Sequence, residues 1–212
     1  VLGHDSTLPV TLEMMLHHCR AVARGAKNAL IVLDLPFATY SAADTSMSLQ
    51  NAARGLREGG AQAVKIEGGA RMAPVVAALV GAGIPVMAHI GLTPQYIHQL
   101  GGYKVQGKDD AARKRLLADA LELEAAGAFA VVLELMPEDL SQTITGKLKI
   151  PTIGIGAGRY CDGQVQVFHD VFGLYEDFVP RHTRRYATLA ETIREAAKIY
   201  VSDVANKKFP GE

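Results

Sequence analysis

Four short apolar runs in this chain each end in a side chain that can carry charge. Asp34 closes Ala29-Leu-Ile-Val-Leu-Asp34, Glu67 closes Ala63-Val-Lys-Ile-Glu67, His89 closes Ile84-Pro-Val-Met-Ala-His89, and Glu134 closes Ala128-Phe-Ala-Val-Val-Leu-Glu134. A carboxylate in such a place is partly stripped of water, so it needs a cation, a metal ion or a chemical role. Asp34 and Glu67 are the pair expected to hold a metal. Their oxygen-only donor set, with no His-x-x-x-His or Cys-x-x-Cys spacing beside it, suits a hard ion such as Mg²⁺ that keeps waters for substrate oxygens. Helix capping or pairing with Lys or Arg is the structural alternative for either residue. Lys65 lies two positions before Glu67, so on a strand the two side chains share a face. There Lys65 could meet a substrate carboxylate or carbonyl, or simply pair with Asp34 or Glu67. A Schiff base on Lys65 would be redundant if a metal already polarised the carbonyl. Glu134 ends the most apolar run, surroundings that suit a general base; capping the helix that starts at Pro137 is the alternative. His89 is either a hydrogen-bonded structural residue or a site residue.

Two weaker signals accompany these. Gly154-Ile-Gly-Ala-Gly158 permits close backbone approach to a ligand, but lacks the helix start that a dinucleotide fingerprint requires. Lys104, Lys108, Arg113, Lys114 and Arg115 read as a solvated loop and helix face.

The elements that must position these residues follow from periodicity. The four runs, with Ile150-Pro-Thr-Ile-Gly-Ile155, read as strands buried on both faces. Between them helical periods cover roughly 11 to 24, 43 to 58, 70 to 82, 109 to 126 and 137 to 147, several ending in Gly. Such β-α alternation predicts a parallel sheet with helical crossovers. A doubly wound sheet and a barrel both fit it. Polar residues at nearly every strand end favour a (β/α)8 TIM barrel, which gathers its strand ends at one mouth. Eight strands are then required, so the N-terminal strands are expected to be missing from this chain, with a further strand near Gln164 to Phe168. The whole of 1–212 is expected to form one barrel domain, closed by an amphipathic helix over about 188–206.

Bulk properties narrow the function class. The 22 basic and 22 acidic residues cancel, leaving no electrostatic footprint for nucleic acid or an anionic membrane. A small-molecule partner is favoured. Cys19 and Cys161 are too few for a disulfide framework and fit a reducing, cytoplasmic setting. No apolar run has the length that a membrane helix needs. The chain opens at Val1, within a motif-like stretch, and an upstream segment is expected.

Taken together, Gly3-His-Asp-Ser-Thr-Leu-Pro-Val-Thr11, Asp34-Leu-Pro-Phe37, Val64-Lys-Ile-Glu-Gly-Gly69, His89-Ile-Gly-Leu-Thr-Pro-Gln95, Gly101-Gly-Tyr-Lys-Val-Gln-Gly107, Leu121-Glu-Leu-Glu-Ala-Ala-Gly127, Gly154-Ile-Gly-Ala-Gly158 and Asp162-Gly-Gln164 with His169-Asp170 closely resemble the 3-methyl-2-oxobutanoate (ketopantoate) hydroxymethyltransferases. The order is the same and nearly the whole chain is covered. The resemblance implies a (β/α)8 barrel that binds Mg²⁺ and moves a one-carbon unit from 5,10-methylenetetrahydrofolate, its co-substrate, to 3-methyl-2-oxobutanoate, giving 2-dehydropantoate for pantothenate and coenzyme A synthesis. It implies metal contacts at Asp34 and Glu67, ketoacid contacts at Asp34 and Lys65, and Glu134 as proton acceptor; His89 is added as a substrate contact from its position. It also implies a homo-oligomer, since the family forms decamers. The family's Gly-Asp-Ser motif, whose Asp binds metal and whose Ser binds substrate, would precede the first matching segment and has no counterpart here. Two other readings compete: a related metal-dependent oxo-acid lyase or mutase of the phosphoenolpyruvate mutase type, and an inactive barrel serving as an assembly module.

Overall fold

The computed structural model describes residues 2–211. The chain divides into two compact units, Val1–Gln164 and Val165–Glu212. In the first, six strands form one sheet: β1 (Val32–Asp34), β2 (Ala63–Glu67), β3 (Val86–Gly91), β4 (Ala130–Glu134), β5 (Thr152–Ile155) and β6 (Gly163–Gln164). All neighbours are parallel and their spatial order equals their chain order. That is the progression of a barrel wall rather than of a doubly wound sheet, whose order reverses at a switch point.

The crossovers are α1 (Leu12–Gly25) ahead of β1, α2 (Thr45–Gly59), α3 (Ala73–Gly81), the short α4 (Ile97–Leu100), α5 (Asp110–Ala125) and α6 (Glu138–Lys147). Single 3-10 turns at Ala70–Met72 and Pro94–Tyr96 lead into α3 and α4. Three of the long helices start where the sequence supplies an oxygen to an orphan backbone donor. Thr11, Asp44 and Asp109 accept from the N–H groups of Met14, Met47 and Ala112. The helical periods of the sequence are found within a few residues. The two short elements around Pro94 and Ile97 were not expected. The strand expected at Gln164 to Phe168 instead begins at Gly163 and stops at Gln164, and Phe168 opens a helical turn, α7 (Phe168–Val171).

Register explains how the sheet separates core from site. Val64 pairs with Val86, Ile66 with Ala88, Ala88 with Val131 and Ile90 with Leu133. These residues and Leu33 point to the helices and are essentially inaccessible, joining Leu16, Leu79, Leu123 and Ile144 from the helix layer in one core. The alternate positions carry Asp34, Lys65, Glu67, His89 and Glu134. The strands were expected to be buried on both faces. The helix-facing side is so throughout; on the other face Glu67, His89 and Val132 are buried, while Val32, Asp34, Lys65, Met87, Ile153 and Ile155 are part-exposed.

The second unit holds α7 and the long α8 (Leu189–Ala205), where the sequence placed its final helix. Backbone bonds from Tyr186 to Val171, from Leu189 to Phe172 and from Ala190 to Gly173 tie the start of α8 and the loop before it to the end of α7 and the residues after it.

Gly91 shows how tight the strand ends are. Its φ is +93°, and a Cβ there would sit 2.1 Å from the Glu134 carbonyl oxygen. Gly91→Ala therefore meets both a conformational and a steric penalty, and urea titration should show a loss of about 2–5 kcal/mol. A second expectation concerns the free thiols Cys19 and Cys161. Burial pushes both up in pKa, against Arg20 at Cys19 and against hydrogen bonds with Thr152, Ser141 and Thr145 at Cys161. A raised pKa leaves less thiolate at a given pH, so iodoacetamide at pH 8 should label the folded chain several times more slowly than the urea-unfolded chain.

Candidate active site

The five side chains that the sequence singled out converge. Asp34 pairs in register with Lys65, Glu67 with His89, and Gly91 with Glu134, so strands β1 to β4 present all of them on one face. The Lys65 ammonium donates to Asp34 Oδ1 at 2.7 Å and lies 3.6 Å from Glu67 Oε1. The imidazole of His89 is wedged between two carboxylates, with Nδ1 3.7 Å from Glu67 Oε1 and Nε2 3.1 Å from Glu134 Oε2. Nδ1 is beyond hydrogen-bond distance of Glu67 and Nε2 meets Glu134 off the line of a hydrogen bond, so the ring is held by charge and packing.

The electrostatics follow from burial opposed by neighbours. At Glu67, whose side chain is 3% exposed, burial favours the neutral acid. His89, Lys65 and the Gln95 N–H outweigh it, and the carboxyl titrates below its ordinary range. At His89 burial and the Lys65 charge disfavour the cation; Glu134 and Glu67 prevail and raise its pKa. Lys65 is likewise opposed by burial and raised by Asp34 and Glu67. The cluster is thus a set of acids interleaved with two bases.

Sequence reasoning assigned no role to two residues that hold Glu67 in place. Tyr40, in the loop after β1, accepts from the Glu67 N–H at 3.0 Å and donates its hydroxyl hydrogen to Gln95 Oε1 at 2.8 Å. Gln95 donates from its backbone N–H to Glu67 Oε2 at 3.0 Å and from Nε2 to the Leu35 carbonyl at 2.8 Å. Burial and the Glu67 charge raise the Tyr40 pKa, so the phenol stays a donor. Gln95 was visible only as the last residue of a motif string, and Tyr40 carried no signal at all. Glu134 is aimed by its own backbone: Leu135 adopts a left-handed φ of 48°, and its N–H and carbonyl bond to Ile155 and Gln106.

One expectation changes. Gly154 and Gly158 accommodate the chain's own side chains. A Cβ on Gly154 would meet Cys161 Sγ at 2.9 Å, and one on Gly158 would meet Glu138 at 2.3 Å. Among the described residues no group of three or more His, Cys, Asp or Glu is arranged to hold a metal ion. Asp34 and Glu67 are two oxygen donors that already converge on one cation, the Lys65 ammonium. That donor chemistry fits a hard divalent ion whose remaining positions go to water or substrate oxygens.

Comparison with known proteins then decides the family. The profile of ketopantoate hydroxymethyltransferase matches residues 1–212. The chain belongs to the ketopantoate hydroxymethyltransferase family. The 3-methyl-2-oxobutanoate hydroxymethyltransferase of Chloroflexus aurantiacus is 60% identical over 211 residues, covering 100% of this chain and 74% of that protein. The enzymes of the same name from Heliobacterium modesticaldum and Carboxydothermus hydrogenoformans are 56% and 57% identical, with 100% of this chain matched and 76% of each relative. As a ketopantoate hydroxymethyltransferase the chain is a transferase of pantothenate synthesis. Solved structures share its fold. A candidate phosphonomutase from Burkholderia cenocepacia J2315 superposes with a TM-score of 0.56 at 16% identity, covering 73% of this chain and 70% of its own. A candidate lyase or mutase from the same strain gives 0.51 at 17%, over 96% and 70%. These likenesses support the barrel class and carry nothing about the reaction.

The Tyr40 and Gln95 network makes a specific prediction. Tyr40→Phe leaves the Glu67 N–H without its acceptor and Gln95 Oε1 without its donor, which should cost about 1–3 kcal/mol in urea unfolding. Combined with Gln95→Leu the loss should be smaller than the sum of the two single losses, because the bond between them is broken only once.

Proposed function

We propose that this family member joins the one-carbon unit of 5,10-methylenetetrahydrofolate to C3 of 3-methyl-2-oxobutanoate, and that Glu134 is the base. What supports this reading is one arrangement: a carboxylate at the end of β4 on the same face as a pair of carboxylates suited to a divalent ion. Held by Asp34 and Glu67, Mg²⁺ would supply positive charge for the oxygens of the 2-oxo acid and so make its C3 hydrogen more acidic. Lys65, already between those two carboxylates, adds a second positive charge for the ketoacid carboxylate.

On the donor, one carbon–nitrogen bond of the methylene bridge opens and water adds to the methylene carbon to supply the hydroxyl. Glu134 takes the C3 proton, and the electron pair left on C3 forms the new bond to that carbon as its second carbon–nitrogen bond breaks. The proton from C3 and one from water end on the two donor nitrogens, releasing tetrahydrofolate and 2-dehydropantoate. His89 Nε2 lies beside one oxygen of the Glu134 carboxylate, at 3.1 Å, and the second oxygen keeps its lone pairs for the substrate. Tyr40 and Gln95 orient Glu67 and touch no substrate in this scheme.

Proton removal can be tested apart from one-carbon transfer. Incubated in D₂O with 3-methyl-2-oxobutanoate and Mg²⁺ alone, the chain should exchange the C3 hydrogen, followed by proton NMR. Glu134→Gln should slow exchange by about 100-fold or more, while calorimetry shows Mg²⁺ still bound. Undiminished exchange in that variant would remove Glu134 from the role of base.

A further inference from the structure

A cleft of about 480 Å³ opens beside the carboxylate cluster, between the turns after β2 and β3 and helix α5. Its size lies in the range of small-molecule sites. It is joined to the cluster through the chain itself. Gly68 follows Glu67, and Ile90 follows His89; both line it. Two guanidinium groups, Arg71 and Arg115, face it, against a single carboxylate, Asp119. Asp119 is engaged: its Oδ1 accepts from the Ala70 N–H at 2.9 Å, and it presses so closely on Gly69 that a Cβ there would come within 2.3 Å. Arg71 stacks over the Tyr96 ring at 4.1 Å, an arrangement that orients the guanidinium while leaving its N–H groups available. Among the described residues neither arginine has a carboxylate partner. Gln99 and Gln106 add neutral hydrogen-bonding groups to the same walls.

Arg115 read in the sequence as one of a solvated basic cluster. Its neighbour Arg113 is indeed spent on the surface, paired with Asp139. Arg115 differs because it borders a cavity that already holds a second, oriented arginine. Two guanidinium forks match carboxylate groups, to each of which a fork can donate in a bidentate manner. A neutral or cationic ligand would leave the net positive charge of the lining uncompensated.

We propose that this cleft seats the glutamate end of the one-carbon donor, with Arg71 and Arg115 reading its carboxylates while the pterin end reaches the cluster. The inference rests on the reaction assigned in the preceding subsection. Placing the anionic end here separates the donor's binding energy from its reacting methylene group, so the arginines govern donor affinity and not proton removal.

The test is calorimetric titration of the full chain with tetrahydrofolate and, in parallel, tetrahydropteroate, which lacks the glutamate. The unsubstituted chain should bind tetrahydrofolate at least about tenfold more tightly, a difference of about 1.4 kcal/mol. Arg71→Gln with Arg115→Gln should abolish that preference and leave tetrahydropteroate binding unchanged, whereas Arg71→Lys with Arg115→Lys should keep part of it. Equal binding of the two ligands by the unsubstituted chain, or a preference that survives the glutamine substitutions, overturns the proposal. Deuterium exchange at C3 of 3-methyl-2-oxobutanoate, which needs no donor, separates the two readings. Exchange that is intact in both proteins without a glutamate preference refutes the cleft alone. Absence of exchange in the unsubstituted chain refutes the reaction assignment.

Discussion

Keeping Glu67 ionised at the end of a buried strand is the constraint on which the site depends. An isolated carboxylate with 3% exposure would take up a proton rather than remain charged. Here the charge persists because three groups from three different segments meet it: Lys65 from its own strand, His89 from the adjacent one, and the Gln95 N–H from the turn beyond β3, while Tyr40 holds the Glu67 backbone. Removing any one of them alters the balance felt by the others, since Lys65 also serves Asp34 and His89 also serves Glu134. The loops after β1 and β3 are therefore fixed by electrostatics as much as by packing. Tyr40 and Gln95, buried and fully bonded to one another, are the joint between them.

The alternation of the strands carries the same logic into the core. Lys65 and Glu67 flank Ile66, and that isoleucine is 1% exposed in the helix-facing layer. One five-residue strand thus supplies core on one side and chemistry on the other. The glycines near the strand ends let the chain fold back without widening the cluster, Gly91 being the clearest case.

These two levels were unequally legible in the sequence. The charged strand ends could be read because an ionisable residue closing an apolar run has few purely structural explanations, and strand periodicity alone puts Lys65 with Glu67. The barrel progression could be read from alternating periods. The Tyr40 to Gln95 bond could not: it joins residues 55 positions apart, and nothing local marks a tyrosine or glutamine as a neighbour of a buried carboxylate. The glycines of Gly154 to Gly158 misled for a related reason. Freedom for close approach is visible in the sequence, but whether a ligand or the chain's own Glu138 and Cys161 comes close is decided by tertiary structure. The two-residue β6 and the helical turn at Phe168 are too short for any period to show.

The pairing of Asp34 with Lys65 in one register and of Glu67 with His89 in the next has an evolutionary reach. Because a strand's faces alternate residue by residue, a single insertion or deletion inside β2 would exchange the two layers at a stroke, delivering Ile66 to the cluster and the carboxylate to the oily helix layer. Core and site would fail together, with no partly working intermediate. Length variation in descendants of such a chain is thereby driven into the loops. The strands can change only by substitution, one side chain at a time.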